Sequence, residues 1–264
     1  MRMDERQAAI LNILKGEASV EVEALSARFD VTTQTIRQDL RDLDDRGLLR
    51  RTHGGARRLA QLAGRAYADR RGFRGQEKRA IGELAASLIP DNCSLTLNIG
   101  TTTEQVARAL ESHHDIMVIS NNINIVTMLS GTMGKELVIV GGKVRQSDGA
   151  VVGEDAVEFI NRFKVDYAVI GASSLDTDGA ILDFDAQEVS VARAILRNAR
   201  TRMLVADASK FDVSAPVRIC NVSEIDYVIT DAPPPSDFAS AANAGQTKIL
   251  LTDSEGADLV EAAD

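Results

Sequence analysis

Apolar residues in the first fifty positions recur every three or four residues, which is the spacing of one face of an α-helix. Polar residues separate three segments with this pattern. Their apolar sets are Ile10, Ile13 and Leu14; Val22, Leu25 and Phe29; and Ile36, Leu40 and Leu43. The pattern therefore predicts three short helices, over Arg6–Leu14, over Val22–Phe29 and from Thr33 onward.

The connection between the second and third predicted helices is only Asp30–Thr32, which makes the pair a helix-turn-helix. Gly47 stands where the third helix is expected to end. Leu48–Thr52 then predicts a short strand, and Gly54-Gly55 predicts a turn. Together these elements predict a winged helix-turn-helix.

The outer face of the third helix is polar and positively charged, and Thr32 or Thr33 can cap its start. Arginine pairs with guanine and glutamine with adenine in the major groove of DNA. We expect base contacts from Thr33, Gln34, Thr35, Arg37 and Gln38. Contacts near the DNA backbone are expected from Arg41, Arg50, Arg51 and His53, with Thr32 completing the predicted DNA-binding set. A lone histidine beside glycines, such as His53, can instead cap the wing turn.

The charge distribution separates the two parts of the chain. The formal net charge is −9, of which residues 1–58 carry +1 and residues 59–264 carry −10. Residues 46–79 contain 11 basic side chains and 2 acidic ones. A basic block after the third helix is typical of phosphate contact. It favours DNA binding over a merely solvated helix or a winged helix that binds another protein.

The length of 264 residues suits one small and one larger domain. We expect the winged helix-turn-helix over residues 1–57, a linker over 58–77 and a second domain over 78–264. No apolar run is long enough to cross a bilayer and no secretory signal follows the start of the chain, so we expect a cytoplasmic protein with no membrane partner. Cys93 and Cys220 have no nearby Cys or His, which argues against a disulfide framework or a zinc site. No metal and no cofactor are expected.

From Lys78 onward, apolar runs of strand length alternate with helical patterns. The predicted strands are Ser94–Asn98, Ile116–Ile119, Leu137–Val140, Tyr167–Ile170, Met203–Val205, Tyr227–Thr230 and Ile249–Leu251. The predicted helices include Thr102–Leu110, Asn122–Leu129, Glu154–Asn161 and Ala186–Arg197. This alternation predicts an α/β domain with a mostly parallel sheet covered on both faces.

Polar or glycine-containing segments follow five of these strands, and ligands of such sheets bind at the carboxyl ends of the strands. Free N–H groups at a helix start favour an anion. The rim therefore suits a small phosphorylated polyol or sugar, with its phosphate on Gly100, Thr101, Thr102 and Lys210. The predicted effector-binding residues are Asn98, Gly100, Thr101, Thr102, Thr103, Asn121, Asn122, Gly142, Arg145, Gly171, Asp183, Glu188 and Lys210.

These segments resemble the DeoR family of bacterial transcription regulators from about Arg6 to about Pro235. In the first domain the matching motifs are Val31–Leu40, Gly47–Arg51 and His53–Ala56. In the second they include Glu77-Lys78-Arg79, Gly100-Thr101-Thr102, Asn121-Asn122, Gly141-Gly142, Asp183-Phe184-Asp185 and Asp207–Phe211. Two positions depart from the family pattern: Asn98 stands where Asp is common, and Ala192 where Lys is common.

The resemblance implies a repressor of a sugar- or polyol-catabolic operon, which a phosphorylated metabolite releases from operator DNA. It also implies a second domain similar in fold to ribose-5-phosphate isomerase and the CoA transferases. Because one helix-turn-helix covers only a short half-site, we expect a homo-oligomer, a dimer or a tetramer.

The alternative is a sugar-phosphate isomerase-like enzyme with a DNA-binding domain. Such chemistry needs a carboxylate base, for which Asp176, Asp178, Asp183 and Asp185 are available. The same residues can equally make turns and a helix cap. Ser173-Ser174 occupies what looks like the place of the acidic pair of the isomerases, which favours a regulator over an enzyme.

Overall fold

A computed structural model describes residues 5–16, 19–45, 48–52, 54–58 and 67–252. The chain forms two compact units, residues 1–63 with 212–214 and residues 64–211 with 215–264. No helix in these ranges is both long and apolar enough to cross a membrane.

The first unit is a small winged helix-turn-helix. Its elements are α1 (Glu5–Gly16), β1 (Ser19–Glu21), α2 (Val22–Phe29), α3 (Thr33–Asp45), β2 (Leu49–Arg51) and β3 (Gly55–Arg58). The three strands form an antiparallel sheet in the order β1-β3-β2. All three predicted helices and the predicted wing strand are therefore present.

The apolar stripes of the three helices form the core of this unit. Ile10, Ile36 and Leu43 are completely buried there. Between α2 and α3 the chain turns at Asp30, whose φ of 50° is left-handed, and Val31 N–H donates to Ser26 O at 3.2 Å. An aspartate tolerates this conformation better than most residues do. The turn therefore fixes the approach of α3 to α2.

Gly55 begins β3 at a position that no larger residue can occupy. A Cβ atom there would lie 1.9 Å from the carbonyl oxygen of Val20 on β1. Thr52 N–H donates to Gly55 O at 3.0 Å, which closes the predicted wing turn. Gly47, the predicted helix end, lies outside the described residues.

The second unit begins, within the described chain, with two helices and then alternates strands with helices. Its elements are α4 (Tyr67–Gly72), α5 (Gly75–Ser87), β4 (Ser94–Leu97), α6 (Thr101–Ala109), β5 (Ile116–Ser120), α7 (Ile123–Leu129), β6 (Lys135–Ile139), β7 (Val144–Arg145), β8 (Ala150–Val151), α8 (Glu154–Ile160), β9 (Val165–Ile170), β10 (Ser174–Leu175), β11 (Ala180–Asp183), α9 (Ala186–Arg197), β12 (Ala199–Val205), β13 (Val217–Asn221), β14 (Tyr227–Thr230), α10 (Ser236–Ala244) and β15 (Lys248–Leu251).

Seven strands form one parallel sheet in the order β15-β14-β12-β9-β4-β5-β6. They are the seven strands that the apolar runs predict, which confirms the mostly parallel α/β fold. Two apolar clusters cover its two faces, one including α5 and α6 and the other including α8 and α9.

The sheet order sets the position of the ligand crevice. From β4 the chain proceeds to β5 and β6 on one side, and then crosses to β9, β12, β14 and β15 on the other. The order therefore reverses between β4 and β9, and a sheet of this kind binds its ligands at the carboxyl ends of the strands beside such a switch point.

Several short elements depart from the predictions. Strands β10, β11 and β13 form a separate antiparallel sheet, and β7 pairs with β8. Most of these strands are two to four residues long, too short for an alternating pattern to stand out from loop sequence.

The stretch that we predicted as a linker contains a helix, α4. Its sequence, Tyr-Ala-Asp-Arg-Arg-Gly, has no apolar stripe. Polar contacts to the rest of the second unit hold this helix, and a hydrophobic pattern does not reveal such contacts.

Candidate functional site

The outer surface of α3 carries the predicted base-contacting residues. Thr32 caps the helix, since its Oγ1 accepts from Thr35 N–H at 3.2 Å and lies 2.9 Å from Thr35 Oγ1. Gln34 and Arg37 are exposed, while Thr33 and Thr35 are half-buried. The first turn of α3 therefore presents short polar side chains beside an exposed arginine and glutamine, which suits close approach to base edges.

Further along the same face, side chains form a hydrogen-bonded row. Gln38 Nε2 donates to Asp42 Oδ1 at 2.8 Å, and Arg41 Nη1 donates to Gln38 Oε1 at 3.2 Å. Both Gln38 and Arg41 are exposed. Their polar groups are thus ordered before any ligand arrives.

A buried carboxylate fixes α3 against α1. Asp39 is 5% exposed, and its Oδ2 lies 2.6 Å from Arg6 Nε. Arg6 Nη2 and Gln7 Nε2 approach the other oxygen at 3.3 and 3.4 Å. Asp39 therefore holds α3, whose outer face carries the predicted base-contacting residues, against α1.

The wing supplies the remaining predicted contacts. Arg51 is exposed at the end of β2, as is Thr52 beside it. Arg50 lies in β2, but its side chain, like the whole of His53, is outside the described part of the chain. The roles given to these residues in DNA contact stay predictions.

In the second unit, the predicted effector residues around β4 and β5 do gather at the carboxyl rim. Asn121 Oδ1 accepts from Ile99 N–H at 3.1 Å and Asn121 Nδ2 donates to Val151 O at 3.1 Å, so this side chain joins neighbouring loops. Gly100 has a φ of 152° and precedes α6, and Thr103 Oγ1 donates back to Gly100 O at 2.8 Å. Thr101 and Thr102 lie in the first turn of α6.

At the strand ends of this rim, four buried polar atoms make no hydrogen bond among the described residues: Asn98 Oδ1, Asn122 Nδ2, Asp207 Oδ2 and Thr230 Oγ1. They follow or end strands β4, β5, β12 and β14, which lie on both sides of β9 in the sheet. Leaving a buried polar group unpaired costs roughly 1–3 kcal/mol. Such a group of unpaired atoms at the switch-point rim is typical of a site that a polar ligand or water fills.

Cationic side chains cluster around Asp207. Arg74 Nε lies 3.5 Å from Asp207 Oδ1. The pKa of Lys78 is lowered to about 8, mainly by burial; Asp207 opposes this shift, and Lys210, Arg70 and Arg74 add to it. Burial likewise lowers the pKa of Lys210, in the same neighbourhood of Asp207 and Arg70. The positive charge around this carboxylate therefore favours an added anion.

A second, acidic group surrounds Arg145. Its guanidinium donates to Asp148, Asp185 and Glu188 at 2.6–2.9 Å. Burial, together with Asp183, raises the pKa of Glu188. Arg145 is thus already neutralised by carboxylates, whereas Lys210 is placed among cations.

The other predicted rim residues have backbone or packing roles in the structure. Gly142 has a φ of 141°, and a Cβ atom there would lie 2.8 Å from Val151 Cγ1. Gly171 directly follows β9, on the far side of the switch point from β4. Asp183 is buried, and its Oδ1 accepts from Phe184 N–H at 2.7 Å.

Sequence reasoning missed the contribution of α4 and of Glu104 to this site. Glu104 is 1% exposed, accepts a hydrogen bond from Tyr67 Oη, and lies 2.7 Å from Arg71 Nε. Arg70 Nη2 lies 3.8 Å from Asp148 Oδ2, and Arg74 pairs with Asp231.

Arg70, Arg71 and Arg74, which belong to the basic block at residues 46–79, thus pair with carboxylates of the second unit, and the interpretation of that block as a DNA footprint stays a prediction. Carboxylates of the acidic second unit attract these side chains within the same unit. The sequence did contain a signal for these pairings. Residues 59–264 carry a net charge of −10, so arginines within them are expected to find carboxylate partners nearby.

The carboxylates considered for an isomerase base serve in turns and a cap. Asp178 Oδ1 accepts from Ala180 N–H at 2.9 Å, and Asp176 Oδ1 accepts from Thr177 N–H at 3.0 Å. Asp185 caps α9, accepting from Gln187 N–H at 2.8 Å. These contacts account for three of the four candidate bases.

A winged helix-turn-helix followed along the chain by an α/β domain with a candidate ligand site at its switch point is typical of a DNA-binding transcription regulator with a sensor domain. Models of two protein domains match the chain: the DeoR-like helix-turn-helix domain over residues 6–61 and the DeoR C-terminal sensor domain over residues 74–232. The chain belongs to the DeoR family of transcription regulators.

Relatives of known name agree with this assignment. The chain is 38% identical to the "Glycerol-3-phosphate regulon repressor" of Escherichia coli, over 89% of this chain and 93% of that protein. It is 34% identical to the "HTH-type transcriptional repressor CsqR" of Escherichia coli, over 93% and 94% of the two chains. Similar proteins are thus regulators rather than enzymes.

Among solved structures, ribose 5-phosphate isomerase from Plasmodium falciparum matches with a TM-score of 0.38 and 12% identity, over 52% of each chain. This likeness is too distant to carry an argument about chemistry.

Proposed function

We propose that this protein is a repressor that binds operator DNA when free and releases it when a phosphorylated polyol or sugar occupies the rim. Glycerol 3-phosphate is the first candidate for the effector. The protein would act in the cytoplasm, where its operator lies, and as a homo-oligomer that reads repeated half-sites.

The observation that carries the proposal is the composition of the rim. Buried polar atoms of Asn98, Asn122 and Asp207, which follow β4, β5 and β12, have no hydrogen-bond partner among the described residues. Lys78 and Lys210 stand close to Asp207, with pKa values lowered by burial. The unpaired donors and acceptors can form hydrogen bonds with the hydroxyl groups of a polyol or sugar, and the neighbouring cations can bind its phosphate.

The choice of glycerol 3-phosphate draws on the relatives. A glycerol-3-phosphate regulon repressor from Haemophilus influenzae is 37% identical over 95% of this chain, and the Escherichia coli protein of that name is 38% identical. Their names supply the candidate, and the rim supplies the chemical reason why a phosphate ester would bind.

A thermal-shift panel tests the effector. Glycerol 3-phosphate, five- and six-carbon sugar phosphates, and unphosphorylated glycerol are each added to the full chain. A ligand at 100 times its Kd stabilises the folded state by about 2.7 kcal/mol. We expect a phosphate ester to raise the melting temperature and glycerol to leave it unchanged. A panel in which no ester shifts the melting temperature would contradict the proposed effector class.

Lys210→Ala then tests the rim itself. We expect it to abolish the ester's shift, because it removes one of the cations near Asp207. Lys135→Ala is the matched control. Lys135 begins β6, at the end of the sheet away from the carboxyl rim, and its Nζ donates to the carbonyl groups of Glu111 and His113. Equal shifts in both variants would remove Lys210 from the site.

A further inference from the structure

Helix α4 and the turn that follows it bring three arginines onto the carboxyl rim. Arg70 and Arg71 flank the ring of Tyr67, with guanidinium carbons 5.4 and 5.3 Å from its centroid. Tyr67 Oη in turn bonds Glu104 and accepts from Asn124 Nδ2 at 3.1 Å. The segment is thereby fixed to α6 and α7, next to the predicted phosphate loop.

Arg70 and Arg74 each have one guanidinium N–H group that donates no hydrogen bond to a described residue. Arg70 Nε and Arg74 Nε are buried and make no hydrogen bond with any described residue. Arg74 Nε is 3.5 Å from Asp207 Oδ1, which is an ion-pair contact and not a hydrogen bond. Asp207 is completely buried, and its Oδ2 is also unbonded.

Four cationic side chains lie near one another here: Arg70, Arg74, Lys78 and Lys210. Lys78 Nζ donates to the carbonyl oxygen of Arg70 at 2.6 Å, so the lysine lies beside the last turn of α4. Arg70 is close enough to Lys78 and to Lys210 to disfavour the charged form of both. A bound dianion would offset this repulsion and supply the missing acceptors.

We propose that Arg70 and Arg74 are effector-binding residues, which hold the anionic group of the ligand together with Lys78 and Lys210. The inference rests on the proposed function, because it concerns the same rim. A guanidinium matches phosphate oxygens in a fork, which a lysine ammonium cannot do. The ligand class is therefore a phosphate monoester rather than a neutral sugar.

Binding of a phosphate would change the ion pairs that Arg74 makes in the free protein. Arg74 now pairs with Asp231 and Glu77, and a ligand phosphate competes with them for its guanidinium. Arg70 lies in α4, the first described element of the second unit in chain order. Ligand binding and the position of α4 are thereby thermodynamically linked.

Isothermal titration of the full chain tests the proposal. The probe is glycerol 3-phosphate or, should the thermal-shift panel rank another ester first, that ester. Arg70→Gln and Arg74→Gln should each weaken binding roughly 10- to 100-fold, the factor that losing a charged hydrogen bond gives. Arg79→Gln is the matched control: Arg79 lies exposed on α5, pairs with Glu83, and should bind like the parent.

The conservative variants Arg70→Lys and Arg74→Lys separate binding from folding. They keep the positive charge, so we expect intermediate affinities, with melting temperatures in the absence of ligand close to the parent's. Parent-like affinity in Arg70→Gln and Arg74→Gln would overturn this inference while leaving the proposed function intact. If no phosphate ester binds the parent chain, both fail together.

Discussion

Asp39→Asn tests whether the buried carboxylate of Asp39 holds the DNA-reading helix in place. Asp39 accepts from Arg6 at 2.6 and 3.3 Å, with side chains that are 7% and 26% exposed. A charged hydrogen bond contributes about 1.5–3 kcal/mol and an exposed ion pair about 0–1 kcal/mol. Because the carboxylate is buried and the guanidinium only partly so, we expect α1 and α3 to lose about 2 kcal/mol of local stability.

Hydrogen exchange of the full chain, read by mass spectrometry on peptides from α1 and α3, measures this loss. A change of about 2 kcal/mol makes amide exchange roughly 30 times faster where opening is local. Glu23→Gln is the control, because Glu23 is exposed on α2 and should leave exchange unchanged. Equal exchange in Asp39→Asn and Glu23→Gln would refute the view that Asp39 orients α3.

Three further changes probe the wing, the reading face and the rim. Gly55→Ala places a Cβ 1.9 Å from Val20 O, so it should cost more than about 2 kcal/mol and abolish DNA binding in a mobility-shift assay, whereas Gly54→Ala has open space and should not. Arg37→Ala should cost about 1–3 kcal/mol of DNA affinity and relax base preference, while Arg51→Ala weakens all sequences alike; identical effects in a binding selection would refute these roles. Burial raises the pKa of Glu104 from 4.5 to about 7. The folded state therefore binds a proton at Glu104 more tightly than the unfolded state does, and this stabilises the fold at low pH. In urea denaturation, the free energy of unfolding of the parent should fall relative to that of Glu104→Gln as the pH rises from 4.5 to about 7. A difference that does not depend on pH would contradict this.

Much of this fold could be predicted because buried residues of helices and strands recur at regular spacings in the sequence. The stripe of Ile36, Leu40 and Leu43 defines α3, and seven apolar runs define all seven strands of the parallel sheet. The rim followed from the same reasoning, since polar segments after parallel strands must meet at one edge.

Elements that ion pairs and polar hydrogen bonds hold in place could not be predicted from the sequence. Helix α4 has no apolar stripe, and only the structure places Arg71 against Glu104. Arg145 was expected to serve the ligand, yet three carboxylates hold it, two of which are distant in sequence. Pairings of this kind depend on which loops the sheet brings together, and residue spacing does not encode them.

The central claim is that one ligand at the rim controls DNA binding, and a linked titration tests it most directly. A labelled duplex, selected from a random library by the purified chain, is titrated by fluorescence anisotropy with and without saturating glycerol 3-phosphate or the ester that the panel ranks first. The account predicts at least a tenfold loss of DNA affinity with ligand, matched by the same loss of ligand affinity with DNA. An unchanged DNA affinity at saturating ligand would contradict it.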